Sequence, residues 1–241
     1  MENASKALIM AGSILISIMI IGLVVFSYNQ IVSVQRIKDN ADSVSKLTEY
    51  SKMFEQYNTS IYGSELLSLA NLQEYYKVSQ KDVEGYDEIK IVVKIKNQIK
   101  DDDNKKLYLK SGECDLTDVR IALTDLEDDI ANYEDANKKG YKNEIEKKKG
   151  ARSVKYYAQL SNRQIAVLFE VPFTSGEEDS AIVDKLTTFP KTADLMKDID
   201  KYKNLKTMYT GFKNTVFTCE KTGYNKYNGR INEMYFKEKW N

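Results

Sequence analysis

The sequence predicts an α+β protein in which an N-terminal transmembrane helix continues into a long stalk helix, followed by an antiparallel-sheet head with packed helices. Three observations predict it: an uncharged apolar run over Ala7–Ser27, a stripe of apolar residues at helical spacing beyond it, and strand-like alternation that begins only after residue 80. The expected division is 1–27 for the N-terminal segment and anchor, 28–79 for the stalk with a bend near Gly63, and 80–241 for the head.

The run ALIMAGSILISIMIIGLVVFS passes from Ala7 through Ile16 and Ile20 to Phe26 and Ser27, with serines as its only polar side chains. About 20 residues at ~1.5 Å each cross a hydrocarbon core of roughly 30 Å. A buried helix of a soluble domain seldom runs so long without a polar face. The run also exceeds the h-region of a cleaved signal peptide, roughly 7 to 15 residues, and Tyr28-Asn29-Gln30 follow it rather than a small-x-small site. It reads as an uncleaved signal anchor, and the lipid bilayer is the first expected partner. Lys6 precedes the run whereas Arg36, Lys38 and Lys46 follow it, which by charge count favours a cytoplasmic head. Long domains translocate largely regardless of charge, however, and no second apolar span links an outer head to an inner output. A single-pass cell-membrane protein with an extracytoplasmic head is the expectation.

Beyond the anchor, Val34, Ile37, Ala41, Val44, Leu47, Tyr50, Phe54, Tyr57 and Ile61 recur at steps of three or four, a heptad-like stripe. Val34, Ile37, Val44, Leu47 and Phe54 form the expected assembly face. Nothing stops this helix before Gly63, so anchor and stalk together would make a rod of about 55 residues, ~80 Å long. Gly63 then bends it, and Ser64 caps a second helix carrying Leu66, Leu69, Ala70, Leu72 and Tyr76.

The period changes at Glu88. Ile89, Ile91, Val93 and Ile95 alternate with Lys90, Lys94 and Lys96, predicting a half-buried strand that forms a hairpin with Lys106–Lys110. The intervening Asp101-Asp102-Asp103-Asn104 lacks the alternation and terminal Glu of a calcium loop and reads as a solvated turn. A helix follows over Asp115–Asn137, capped by Asp115 or Thr117, with Leu116, Val119, Leu123, Leu126, Ile130 and Tyr133 inward and its carboxylates on a solvated face. Lys138–Gly150 reads as an exposed charged loop or a short helix. Val154–Leu160 and Gln164–Phe173 read as two strands, the second central to the sheet. Thr174–Asp179 is a loop, Ser180–Phe189 a short helix and Thr192–Tyr202 another with Thr192 as cap; Leu205–Phe212 suits helix or strand. A last hairpin joins Asn214–Tyr224 to Arg230–Phe236 through Asn228-Gly229, and its aromatic residues serve cross-strand packing or a stacking platform.

Composition limits the chemistry. Among 241 residues, 36 Lys and Arg balance 36 Asp and Glu, which leaves no electrostatic case for nucleic acid. There is no histidine, which excludes Ser-His-Asp and Cys-His catalysis and histidine-ligated zinc. No cofactor motif occurs, and a non-enzymatic role is expected. Cys114 and Cys219 fit no CxxC or zinc spacing. A disulfide between them is permitted outside the cell; two separate small residues are the other reading.

An apolar helix running into an amphipathic stalk, followed by an α+β head with antiparallel strands and two cysteines, resembles the type IV pilins and pseudopilins. Ala4-Ser5-Lys6-Ala7-Leu8, the run Ile9–Ser27, Phe212-Lys213, Phe217, Cys219, Tyr224, Gly229-Arg230-Ile231 and Met234-Tyr235-Phe236 look similar to single-pass proteins of Gram-positive bacteria associated with pilus-type export. The pilin leader's final Gly and the Glu at the fifth mature position have no counterpart here. The resemblance implies an envelope protein acting in assembly or surface presentation, with itself or with other helical membrane or pilus subunits as partners. The alternative is a membrane-tethered binding module, adhesin-like or solute-sensing, that does not polymerise.

Overall fold

The computed structural model describes residues 48–80, 86–101, 106–146 and 149–239, with residues 32 and 45. The anchor residues Ala7, Ile16, Ile20 and Phe26 and the stalk residues Val34, Ile37, Val44 and Leu47 lie outside the described residues. Among the described residues no helix is long and apolar enough to cross a membrane. The chain divides into two compact units, Met1–Met53 with Asp82–Tyr86, and Phe54–Lys81 with Asp87–Asn241. In the first unit, residues 32, 45 and 48–53 are helical, and the rings of Tyr50 and Tyr86 lie 6.1 Å apart.

The second unit is α+β. The helical residues 48–55 (α1) end in turns rather than running on to Tyr62. The stripe continues past this point for another reason: Ile61 belongs to a strand, β1 (Ser60–Tyr62), where it is buried opposite Phe217. Phe54 is fully buried. Gly63 does not bend a stalk; it opens α2 (Gly63–Gln80) directly after β1.

Five strands form the main sheet in the order β1-β8-β9-β2-β5, with β2 at Lys90–Ile95, β5 at Gly112–Asp115, β8 at Val216–Tyr224 and β9 at Ile231–Glu238. All neighbours are antiparallel except β2 and β9, which run parallel with Val93 beside Phe236. The sheet is therefore mixed, not antiparallel throughout. Its alternation follows the period of two: Ile91, Val93, Met234 and Phe236 are fully buried on one face, while Lys90 and Lys94 are exposed on the other. The polar face carries its own pairs, Lys237 with Glu220 at 3.1 Å and the Tyr235 hydroxyl donating to Glu113 at 3.0 Å.

The predicted hairpin of β2 with Lys106–Lys110 does not form. Residues Leu107–Leu109 (β4) pair instead with Ile99–Lys100 (β3) as a separate ribbon, and β5 takes the place beside β2. α3 (Leu116–Glu134) begins as expected, with Asp115 accepting from the Thr117 amide, and buries the predicted stripe together with Ala122. A second ribbon pairs β6 (Gly140–Tyr141) with β7 (Arg152–Ser153).

The two strands expected over 154–173 are helices, α4 (Val154–Ala158) and α5 (Asn162–Leu168). Their starts were encoded in polar residues. Ser153 accepts from the Tyr156 amide, and Ser161 with Gln164 makes a reciprocal capping box, the S-x-x-Q signature of a helix start. Ile165, Ala166 and Phe169 are buried at helical spacing, a pattern that apolar alternation on both sides concealed. The central strands are β9 and β2. α6 (Asp179–Thr188) matches expectation, and α7 (Ala193–Asn214) absorbs the ambiguous 205–212. Thr192 precedes α7 but does not cap it; its hydroxyl donates to the Leu186 carbonyl at 2.6 Å. The last hairpin forms as expected. Phe212, Phe217 and Phe236 are buried while Tyr227 is 99% exposed, so no joint stacking platform assembles; Trp240 lies outside the described residues.

Both cysteines are free. Cys219 pairs with Phe236, Phe236 with Val93, and Val93 with Cys114, so the thiols sit in one row with two strands between them. Three strand spacings are about 14 Å, whereas a disulfide needs Cα atoms within about 7 Å. The bond cannot close within this sheet.

Gly63 sits where α2 meets α7. Its amide donates to the Thr215 carbonyl at 2.8 Å, and a Cβ there would lie 2.0 Å from the Phe212 carbonyl oxygen. The obstacle is backbone and cannot rotate away. Gly63→Ala is expected to destabilise the folded unit by about 2–4 kcal/mol, read as a lowered urea midpoint; an unchanged midpoint would refute the close approach.

Candidate functional site

Beside the seam of α3 and α7 the sequence supplies a repeated short pattern. Lys106-Leu107-Tyr108 and Lys139-Gly140-Tyr141 are both Lys-x-Tyr on strand-like backbone, where residues two apart share a face. Each pair closes on one carboxylate presented by a helix. Lys106 and the Tyr108 hydroxyl donate to Asp129 of α3 at 2.7 and 2.6 Å. Lys139 and the Tyr141 hydroxyl donate to Asp198 of α7, at 2.9 and 2.6 Å. A third cluster repeats the chemistry from helices: Lys155 of α4 and Tyr202 of α7 donate to Glu134 of α3 at 2.9 and 2.8 Å. Lys201 bonds Asp101, a carboxylate only 4% exposed at the end of β3.

These groups surround a recess of about 350 Å³ lined by Asp101, Lys106, Tyr108, Asp129, Asn132, Tyr133, Lys139, Lys201 and Leu205. A neighbouring recess of about 420 Å³ shares Asp101, Tyr133, Lys139 and Lys201 with it. Two ring faces of the wall carry ammonium groups, Lys106 4.8 Å from the Tyr108 centroid and Lys139 5.3 Å from that of Tyr133. Two more recesses are more apolar: one of about 410 Å³ at Val171–Thr174 with Lys185, Thr188 and Phe189, and one of about 380 Å³ between Tyr156 and Leu168 with Arg163 and Gln164.

The electrostatics drive protons away from the carboxylates and hold them on the phenols. Burial pushes the Asp129 carboxyl up, but the bonds from Lys106 and Tyr108 and the attraction of Lys106 and Lys201 outweigh it and hold the group below its usual range. The bond from Lys155, opposed by burial and aided by Tyr202, lowers Glu134. Burial first, then the bond to Asp129, keeps Tyr108 protonated well above the ordinary phenol range; Asp198 does the same for Tyr141. Burial and Glu134 push Tyr202 up to about 12. Among the described residues no group of three Cys, Asp or Glu side chains is placed to hold a metal ion.

None of the residues singled out from the sequence lines this recess. Cys114 and Cys219 lie in the sheet, Phe54 in the core, and the anchor and other stalk residues outside the described residues. Its own residues had bland readings: Asp129 on a solvated helix face, Asp101 in a turn, Lys139 in an exposed loop. Lys-x-Tyr, which occurs a third time at Lys155-Tyr156-Tyr157 without the same clamp, was the available signal. No family model matches the chain, and comparison with curated proteins and with solved structures finds no match.

Asp129→Asn keeps the shape of the first clamp and removes its charge. With Asp129 31% exposed, the expected loss at pH 7 is about 1 kcal/mol after solvent screening. The folded carboxyl is depressed, so its contribution is present above the ordinary carboxylate range and fades as pH falls through the folded value. Urea midpoints of the two proteins should therefore differ at pH 7 and converge toward pH 2; a constant gap would refute the charge pairing. Gly140→Ala tests the second clamp, since a Cβ there would lie 2.0 Å from the Ala136 carbonyl oxygen. It should destabilise the fold by about 2 kcal/mol or more, and an unaffected urea midpoint would refute the fit.

Proposed function

We propose that this chain is a non-enzymatic, membrane-anchored envelope protein of pilin-like build, with its α+β head on the extracytoplasmic side, acting in assembly or surface presentation. The observation that carries the reading is the coupling of an uncharged span over Ala7–Ser27 to a separately packed α+β unit in one chain. The electrostatics of the recess support the non-enzymatic part. General acids and bases work best when tuned toward the operating pH, whereas Asp129 and Glu134 are tuned below it and Tyr108, Tyr141 and Tyr202 above it.

The proposed assembly face is Val34, Ile37, Val44, Leu47 and Phe54, of which Phe54 is buried within the described residues. A second reading, a tethered binding head that does not polymerise, is favoured by the polar recess.

A charge at the middle of the span, Ile16→Lys or Ile20→Asp, costs roughly 2.5–3.5 kcal/mol of insertion free energy. Each variant is expected to move much of the protein out of the membrane fraction, and full retention of both would overturn the anchor. Single cysteines at Val34, Ile37, Val44 and Leu47, in a background lacking Cys114 and Cys219, separate the two readings. Regular cross-linked ladders support assembly; monomer alone at every position overturns assembly in favour of the tether.

A further inference from the structure

We propose that the recess between β4, α3 and α7 binds a sugar of one or two rings, held through neighbouring hydroxyl groups. This deepens the second reading, the tethered binding head, and rests on it.

The argument begins with unused hydrogen-bonding capacity. Asn132 lines the recess half-buried, one helical turn from Asp129, and among the described residues nothing hydrogen-bonds its amide. Both bonds to Asp129 fall on Oδ2, so among the described residues Oδ1 has no donor. Lys106 has three N–H groups and gives one to Asp129. An amide that both donates and accepts, a carboxylate oxygen that accepts and an ammonium that donates thus border the same space.

Charge selects the ligand class. Lys106, Lys139 and Lys201 face Asp101 and Asp129 in the first recess, and Lys197, Asp198 and Asp200 of the adjoining one bring the two together to four charges against four. An anion would meet the carboxylates and a cation the ammonium groups, so either pays repulsion beside its attraction. Adjacent sugar hydroxyls each donate and accept, and they satisfy this mixed set without adding charge. The volume of about 350 Å³ is near the lower end of ligand sites, roughly 300–1,000 Å³, and suits one ring. The adjoining recess, sharing Asp101, Tyr133, Lys139 and Lys201, gives room for a second.

The test uses the full chain in a detergent without a sugar headgroup. Saturation-transfer NMR is run with glucose, galactose, N-acetylglucosamine and a peptidoglycan disaccharide, and with inorganic phosphate as the ionic competitor. Transfer to ring protons of at least one sugar is expected, insensitive to phosphate and weakened at least tenfold by Asn132→Ala, with Asn137→Ala as the unaffected surface control. Asp129→Gln, which displaces the same oxygen, gives a second variant. Transfer from the disaccharide alone assigns the site to an envelope glycan, and transfer from a free monosaccharide assigns it to a solute; either supports the proposal. It is overturned by no transfer from any sugar, by transfer that survives both substitutions, or by phosphate displacing the sugars. Binding is read in micelles, so a failure of membrane retention in the Ile16 variant leaves this result standing, and a failure here leaves the anchor standing.

Discussion

The fold depends on the C-terminal strand β9 lying between β8 and β2. Its partnership with β8 is a local hairpin, but its partnership with β2 is parallel and joins the two ends of the folded unit. Parallel strands cannot be linked by a tight turn. The connection here contains β5, five helices and the hairpin partner itself, all of which must be accommodated before Val93 meets Phe236. Without β9 the sheet is two fragments, β1-β8 with Ile61 and Phe217 and β2-β5 with Ile91 and Val93, and the Met234 and Phe236 side chains that lie between these apolar residues are missing. Non-local pairing of this kind incurs loop-closure entropy before it yields burial, so β9, which follows every other described element in the chain, completes the core.

The helical side faces the opposite problem. α3 and α7 bring carboxylates to their seam, and a partly buried carboxylate is costly unless paired and hydrogen-bonded. The solution is the same at three places: one lysine for the charge and one tyrosine hydroxyl for a further lone pair. Two of the pairs come from β4 and β6, strands of three and two residues that have little else to hold them. The clamps therefore settle the helix charges and fasten the short ribbons at once.

How legible this was in sequence depends on which physical pattern dominated each segment. β2, α3 and the β8–β9 hairpin carried one period each and were recognised as strand, helix and hairpin, with Asp115, one of the two residues offered, as the α3 cap. Residues 154–173 carried two. Alternation through Ile165, Val167 and Phe169 competed with Ile165 and Phe169 four apart, and only the Ser161–Gln164 capping box, a polar signal, decided for helix. Beyond the β8–β9 hairpin, which strand neighbours which was not legible, because pairing β2 with β9 across the unit leaves no local trace. The recess escaped notice for a related reason. Asp101, Asp129, Lys139 and Lys201 are scattered in the chain and individually resemble surface residues; only the topology brings them together.

Because the chain has no histidine, no side chain in it has an unperturbed charge change between pH 5 and 8. The clamps carry this further, moving Asp129 and Glu134 down and Tyr108, Tyr141 and Tyr202 up. Every donor and acceptor assigned to these groups is thereby fixed across the ordinary pH range. A surface of this kind recognises by hydrogen-bond geometry and not by titration. That is unsuited to proton-transfer chemistry, which needs a group poised to change state, and well suited to presenting a constant pattern of amide, carboxylate and ammonium groups.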